Sequence, residues 1–402
     1  MMKFLPSKEQ FEIIKQGVEE IIPESALLKK LENSKELNRP LIIKLGCDPS
    51  RPDLHLGHSI VLKKLRQFQD LGHTAVLVIG DFTAMIGDPS GRNKTRPQLT
   101  IEEARENAKT YVEQSHKILD VKNLKVTYNS TWLDKMSFSD VVKLSSSYTV
   151  ARMMERDDFT KRFQSKIPIS IHEFLYPLAQ AQDSFYLKSD VELGGTDQKF
   201  NLLVGRDIQK HKKQNPQCVI TMPLLEGIDG VEKMSKSYGN HIGFYDKPED
   251  MYGKVLSIKD DMILKWFQLC TDSDVSTLNK IESDLKDRKI NPMKIKRELA
   301  RKVVETFHNK EKSRAAENHF NKVVVDKGIP SDIPTYKLVR EDLVVNVIFD
   351  SGILKSKSEV RRMIKQGAVK IDSVVVKDIS QIIKPKKDCI LKIGRRRFLK
   401  IR

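Results

Sequence analysis

An apolar run, Leu41 to Cys47 (LIIKLGC), passes through a turn-rich stretch, DPSRPDLHLGH, into an amphipathic segment, SIVLKKLRQFQDLG, and out into a second apolar run, Ala75 to Asp81 (AVLVIGD). Strand, helix, strand within about 40 residues is a βαβ unit, the building block of a parallel, doubly wound sheet. Strand candidates at Lys125–Tyr128, Leu187–Leu193 and Cys218–Met222 continue the alternation, and such a sheet suits a nucleotide. Between about Ile101 and Gln182 the periodicity becomes mostly helical and reads as an insertion between the halves of the sheet.

At 402 residues the chain is long for one core, so two or three domains are expected. From about Lys247 to Lys322 the pattern is again helical; VDKGIPSDIPTYK, with two Pro, one Gly and no periodicity, reads as a linker. Beyond it, Ser356 and Glu359 have capping-box spacing, with Val360, Met363 and Ile364 as a buried stripe and Gly367 as a terminator. VKID-S-VVVKD then predicts two short strands joined by a tight turn. Of the formal charge of +17, a net +10 lies between Val339 and Arg402, where 17 Lys/Arg face 7 Asp/Glu. That asymmetry points to a polyanionic partner, and Lys357, Arg361, Arg362 and Lys365 form its cationic ridge. No apolar run approaches the ~20 residues needed to span a bilayer, and the first thirty residues lack an apolar signal core, so a cytoplasmic, membrane-free protein is expected. Cys47, Cys218, Cys270 and Cys389 are scattered without CxxC spacing, which predicts reduced thiols.

Chemistry concentrates in short motifs. At His55-Leu56-Gly57-His58 the chain leaves a turn and enters a helix, so free N–H groups face any bound phosphate. Two imidazoles there can donate to phosphate oxygens as charge moves to a leaving group, and Gly57 leaves room for a base against the backbone. Zinc is the rival use of paired histidines, with Cys47 the nearby candidate ligand. Lys233-Met234-Ser235-Lys236-Ser237 follows a turn signal at Asp229-Gly230, and two lysines at that spacing reach neighbouring phosphates of a triphosphate. DFTAMIGDPSGRNKTR, Asp81 to Arg96, begins where the second strand ends, at the ligand-binding edge of such a sheet. Tyr176, Gln180 and Asp183 fall at i, i+4 and i+7, on one face of a helix that Pro177 either starts or kinks.

HLGH followed by KMSKS, in that order and separation, resembles the two signature motifs of class I aminoacyl-tRNA synthetases, and the whole chain is similar to their bacterial-type tyrosyl-tRNA synthetases. The resemblance implies an α/β fold: a Rossmann-like doubly wound parallel sheet with a helical insertion, then an α-helical domain and a small α+β S4-like RNA-binding domain. Its expected boundaries are 1–245 for the catalytic domain (insertion about 101–182, KMSKS loop about 226–242), 246–325 for the helical domain, 326–338 for the linker and 339–402 for the S4-like domain. An ATP site of Ser50, His55, Gly57, His58, Gly195, Asp197, Lys233, Met234, Lys236 and Ser237 is implied, with Arg92 and Arg96 joining His55, His58, Lys233 and Lys236 as catalytic groups, although Lys94 could compete with the arginines. For L-tyrosine it implies Asp88 with Thr83 beside it, Tyr176 and Gln180 on the ammonium, Asp183 on the phenol, and Gln198 of GGTDQ on the carboxylate. Lys44 stands where many members place a Tyr beside the phenol, and a buried ammonium there needs a partner.

The same resemblance implies activation of L-tyrosine with Mg2+-ATP to tyrosyl-adenylate, then transfer to the terminal ribose of tRNA(Tyr). Mg2+ enters with the substrate; no protein-bound metal or organic cofactor is expected, and the insertion is expected to form a homodimer. The alternatives are a tryptophan enzyme sharing fold and motifs, and a catalytically silent RNA-binding relative.

Overall fold

The sheet of the larger unit contains β1 (Glu20–Ile22), β2 (Ile42–Cys47), β3 (Thr74–Ile79), β4 (Leu124–Tyr128), β5 (Val191–Gly195) and β6 (Cys218–Met222), ordered β1-β6-β5-β2-β3-β4. This is a computed structural model, and it describes residues 4–49, 53–90, 99–287, 290–325, 333–372, 374–385, 389–394 and 397–402. Two compact units emerge, residues 1–308 and 309–402. β2 to β6 pair in parallel, while the three-residue β1 adds an antiparallel edge on β6 that the sequence pattern did not reveal. β6 is buried throughout, as expected for a parallel strand covered on both faces. The chain runs from β2 outward to β3 and β4, then returns to lay β5 and β6 on the other side of β2. Winding therefore reverses between β2 and β5, and a crevice opens outside the carboxyl ends of those strands.

The crossover helix Leu56–Asp70 turns Leu56, Ile60, Leu62, Leu65 and Phe68 inward at helical spacing. The stretch 101–182 is less uniform than its periodicity implied. Its first helix, Ile101–Ser115, is capped by Thr100 and Glu103 and leads to β4, a member of the sheet. Only after β4 come the short helices Phe138–Ser145, Val150–Met153 and Asp157–Gln164. The helix Leu175–Leu187 then returns the chain to the sheet. The strand expected from Leu187 begins only at Val191, because Leu187 completes that helix and Lys188 closes it in the left-handed conformation, φ 52°. Lys188, Ser189 and Asp190 are polar, and Asp190 accepts from the Ile42 N–H at 3.0 Å, which ties the turn to the start of β2.

Helices Pro248–Leu256, Ile263–Cys270, Val275–Lys286 and Pro292–Phe307 complete the larger unit around buried Trp266, Phe267, Leu299 and Val303. In the smaller unit, helix Lys310–Phe320 precedes β7 (Thr335–Tyr336), β8 (Asp342–Leu343), β9 (Val369–Ile371), β10 (Val374–Val375), β11 (Ile382–Ile383), β12 (Cys389–Ile393) and β13 (Arg397–Ile401). A five-stranded sheet, β10-β9-β12-β13-β7, and a two-stranded one, β11-β8, pack with the helices on Val347, Ile348, Val360, Ile364, Leu391 and Ile401. The helix Lys357–Lys365 starts where Ser356 Oγ accepts from the Glu359 N–H at 3.2 Å, and Gly367 at φ 66° follows its end. The expected hairpin is β9 and β10. Among the described residues, no helix is long and apolar enough to cross a membrane.

Candidate active site

A cavity of about 790 Å³ lies at the carboxyl edge of the sheet, lined by Gly46 and Cys47 of β2, Val78 of β3, Gly194 and Gly195 of β5 and Met222 of β6. It brings together His55, Gly57, His58, Thr83, Asp88, Tyr176, Gln180, Asp183, Gly195, Asp197, Gln198, Lys233, Met234, Lys236 and Ser237. Residues far apart in the chain thus meet because strand ends, a helix start and one loop converge there. Ser50, Arg92, Lys94 and Arg96 lie outside the described residues. Lys357, Arg361, Arg362 and Lys365 belong to the smaller unit.

At the HLGH end the two imidazole centroids are 3.9 Å apart. His58 Nδ1 accepts from the His55 backbone N–H at 3.1 Å, so the proton of neutral His58 sits on Nε2. Burial, aided by the Lys236 charge, lowers the His58 pKa to about 4. Burial, then His58, His241, Lys236 and Lys233, hold His55 well below its ordinary value. Both rings are therefore neutral donors at neutral pH. Lys233 Nζ contacts Asp197 at 2.8 Å, and Lys236 Nζ contacts Asp53 at 2.7 Å, so each motif lysine faces a carboxylate. A Cβ on Gly57 would sit 3.1 Å from the His55 ring and 3.7 Å from Met234. What Gly57 makes room for here is thus the motif's own first histidine. Lys236–Tyr238 forms a single 3-10 turn, preceded by a β-bridge between Glu226 and Lys233.

The other end carries carboxylates. Asp183, 3% exposed, accepts from Trp132 Nε1 at 2.8 Å and from Asn129 Nδ2 at 3.3 Å. Burial raises its pKa to about 7 against the opposing pull of the Lys44 charge and those two donors. Asn129 also donates to Thr83 Oγ1 at 3.1 Å, and Thr83 donates to Asp48 at 2.8 Å. The Tyr176 hydroxyl donates to the other Asp48 oxygen at 2.8 Å. Asp88 accepts from Ser90 N and Oγ at 2.9 and 2.6 Å and from Gln198 Nε2 at 2.9 Å, with Arg156 Nη2 at 3.5 Å. Gln198 Oε1 in turn accepts from Asn201 at 3.1 Å, so this amide is held from both ends.

Lys44 departs from its expected place. It is fully buried, is not among the cavity's lining residues, and donates to Glu192, to the Gln180 carbonyl and to Ser184 Oγ at 2.9, 2.9 and 2.8 Å. Its partner Glu192 escaped the reading of the sequence, as did Asp48, Asp53, Asn129, Trp132 and Arg156. A charged residue inside each of two apolar strands, Lys44 in LIIKLGC and Glu192 in VELGG, was the available signal. The zinc alternative for His55 and His58 finds no cluster of three or more candidate ligands among the described residues. Nearby Cys47 has its thiol pushed up to about 12 by burial and by Asp48.

A parallel sheet with a switch-point crevice, HLGH at its helix entrance and KMSKS across from it define a class I synthetase catalytic unit. The sequence profile of the class I tRNA synthetases (W and Y) matches residues 35–325, and that of the S4 domain matches residues 344–388. The chain belongs to the class I tRNA synthetase family of the tryptophan and tyrosine type. It is 52% identical to the tyrosine–tRNA ligase of Thermotoga maritima over 98% of this chain and 97% of that protein. It is 51% identical to the tyrosine–tRNA ligase of Salinibacter ruber over 100% of this chain and 98% of that one. Its fold is like that of the Archaeoglobus fulgidus tyrosyl-tRNA synthetase solved with L-tyrosine, with a TM-score of 0.64 at 23% identity over 77% of this chain and 99% of that one.

Proposed function

We propose that this chain is a tyrosine–tRNA ligase, activating L-tyrosine with ATP and passing it to tRNA. The tyrosine carboxylate attacks the α-phosphorus in line, pyrophosphate leaves, and a hydroxyl of the terminal tRNA ribose then takes the tyrosyl group from the adenylate. A carboxylate is already a nucleophile, so the first step needs no protein base and depends on positioning and electrostatics. In this reading neutral His55 and His58 donate to phosphate oxygens, and Lys233 and Lys236 exchange Asp197 and Asp53 for the triphosphate. Asp197, once released, accepts a ribose hydroxyl. Arg92 and Arg96 assist at the phosphates, and Mg2+ arrives with ATP. Asp88, Tyr176 and Gln180 take the ammonium, and Gln198, through the orientation its two partners impose, borders the substrate carboxylate.

The observation that carries the specificity is the buried Asp183 carboxylate in the same cavity as HLGH and KMSKS. A phenol gives it a third donor, whereas phenylalanine would remove water from it and return nothing. Tyrosine-dependent ATP–pyrophosphate exchange tests this, with tryptophan and phenylalanine in parallel. Exchange is expected with tyrosine alone; exchange with tryptophan alone would overturn the assignment.

The proposed division of labour keeps catalysis in 1–245 and tRNA binding at 339–402, with two of the expected bounds moved. The helical domain expected at 246–325 divides, its helix Lys310–Phe320 falling in the smaller unit, and the linker expected at 326–338 ends before Thr335–Tyr336, which is β7 of that unit's sheet. Phe138, Val150, Phe163 and Ile171 are exposed apolar residues of the insertion, which supports a homodimer through the insertion. A cytoplasmic location completes the reading.

A further inference from the structure

Lys44 of β2 and Glu192 of β5 are register partners in adjacent parallel strands, and both side chains are wholly buried. Together they form a closed network. All three Lys44 N–H donors are used, on Glu192 Oε1, the Gln180 carbonyl and Ser184 Oγ. Glu192 Oε1 also accepts from Gln180 Nε2 at 3.0 Å, while Oε2 accepts from Ser184 Oγ at 3.0 Å and from Gln217 Nε2. Four donors fill the acceptor positions of one carboxylate. Isolated charge pairs this deeply buried give little stability over apolar residues of the same volume, so stability alone is a weak account of the pair.

Its geometry offers another. A carboxylate only accepts, so the NH2 of the Gln180 side chain must be the group facing Glu192, and the amide oxygen is turned the other way. Gln180 lines the cavity, and an ammonium group, which only donates, needs an acceptor there. We propose that the Lys44–Glu192 pair is a positioning device that fixes the Gln180 amide with its oxygen available to the substrate ammonium. Lys44 holds the backbone of the same residue, so the side chain and main chain of Gln180 are set from behind by two opposite charges that never meet the substrate. This rests on the reading of the cavity as a tyrosine site.

Glu192→Gln tests it. The new amide offers one acceptor oxygen to the donors that filled two, and its NH2 either meets Ser184 and Gln217 or meets Lys44 and Gln180. In the second arrangement Gln180 gains a reason to turn its oxygen toward residue 192 and its NH2 toward the substrate. In the single variant the Lys44 ammonium pulls the new oxygen to the Gln180 side, so the decisive protein is the double variant Lys44→Met/Glu192→Gln. It carries no unpaired buried charge, Ser184 and Gln217 take the new oxygen, and the new NH2 faces Gln180. Inhibition of ATP–pyrophosphate exchange is measured with tyramine, which keeps the ammonium, and with 3-(4-hydroxyphenyl)propionate, which lacks it. Losing one charge-assisted hydrogen bond predicts tyramine inhibition weakened by about tenfold to a hundredfold. Inhibition by the propionate is expected within about twofold of the unsubstituted protein, with KM for ATP unchanged. Parallel losses for both ligands would mean a pocket damaged as a whole and would overturn the inference, as would unchanged tyramine binding. Absence of tyrosine-dependent exchange in the unsubstituted protein would instead bring down the tyrosine reading itself, and this inference with it.

Discussion

At the scale of single residues, Asp183 carries the sharpest pH signature. Its ordinary pKa is near 3.8, and burial raises it to about 7 in the folded chain. Between those values the folded state holds a proton that the unfolded state has lost. By linkage, stability falls as pH rises from about 4 to about 7 and is insensitive to this group outside that window. Asp183→Asn removes the titration. It also places an NH2 where Trp132 Nε1 or Asn129 Nδ2 donates, so its absolute stability is a poor guide. The informative quantity is the slope: in urea unfolding at pH 5, 6, 7 and 8, the variant should gain on the unsubstituted protein from pH 5 to about 7 and level off toward pH 8. Parallel curves would mean that Asp183 ionises in the fold as it does in water.

At the scale of elements, the helix Leu175–Leu187 is where sequence and structure meet. Tyr176, Gln180 and Asp183 were legible because helical phase is local: three polar residues at i, i+4 and i+7 must share a face whatever lies opposite. The groups that set them were not legible, because Asp48, Asn129, Trp132 and Glu192 reach them from other elements through strand order. No local period encodes that order. The short edge strand β1 escaped for a related reason: three residues carry no usable alternation, and β6 supplies its partner from about 200 residues away. A packing test of this layer is available at Gly205, on the helix Lys199–His211. A Cβ there would stand 2.6 Å from Gln217 Nε2, 3.2 Å from Glu192 Oε2 and 3.3 Å from Ser184 Oγ. Alanine improves helix propensity by about 1 kcal/mol, but Gln217 can move only by abandoning bonds to Glu192 and to the Leu202 carbonyl. The clash should win, and Gly205→Ala is expected to lose about 1–2 kcal/mol net in denaturant unfolding. A stabilised variant would show that the network behind the pocket is slack.

At the scale of the whole molecule, charge is unevenly distributed, with a net +10 of the formal +17 in residues 339–402. The helix Lys357–Lys365 shows how the smaller unit displays it. Val360 and Ile364 are buried, which turns Arg361, Arg362 and Lys365 to solvent. Lys357 differs: its Nζ donates to Asn346 at 2.8 Å and lies 5.4 Å from the Phe349 ring centre, so part of its hydrogen bonding serves the unit's own fold. By sequence alone these four cations are equivalent, since helical phase gives the face but not the tertiary partner. Cations that neutralise phosphates release counterions, and the dependence of binding on salt counts them at about 0.7 to 0.9 per contact. Replacing Arg361, Arg362 and Lys365 together by Gln should therefore flatten the slope of log KM for tRNA against log salt by about 2 to 3. Tyrosine-dependent exchange, which needs no tRNA, should keep its rate. Lys357→Gln should change the slope less than any of the three exposed positions replaced singly. A triple variant with an unaltered slope would remove this helix from the tRNA contact. Loss of exchange in step with charging would place the damage in the enzyme rather than in its grip on RNA.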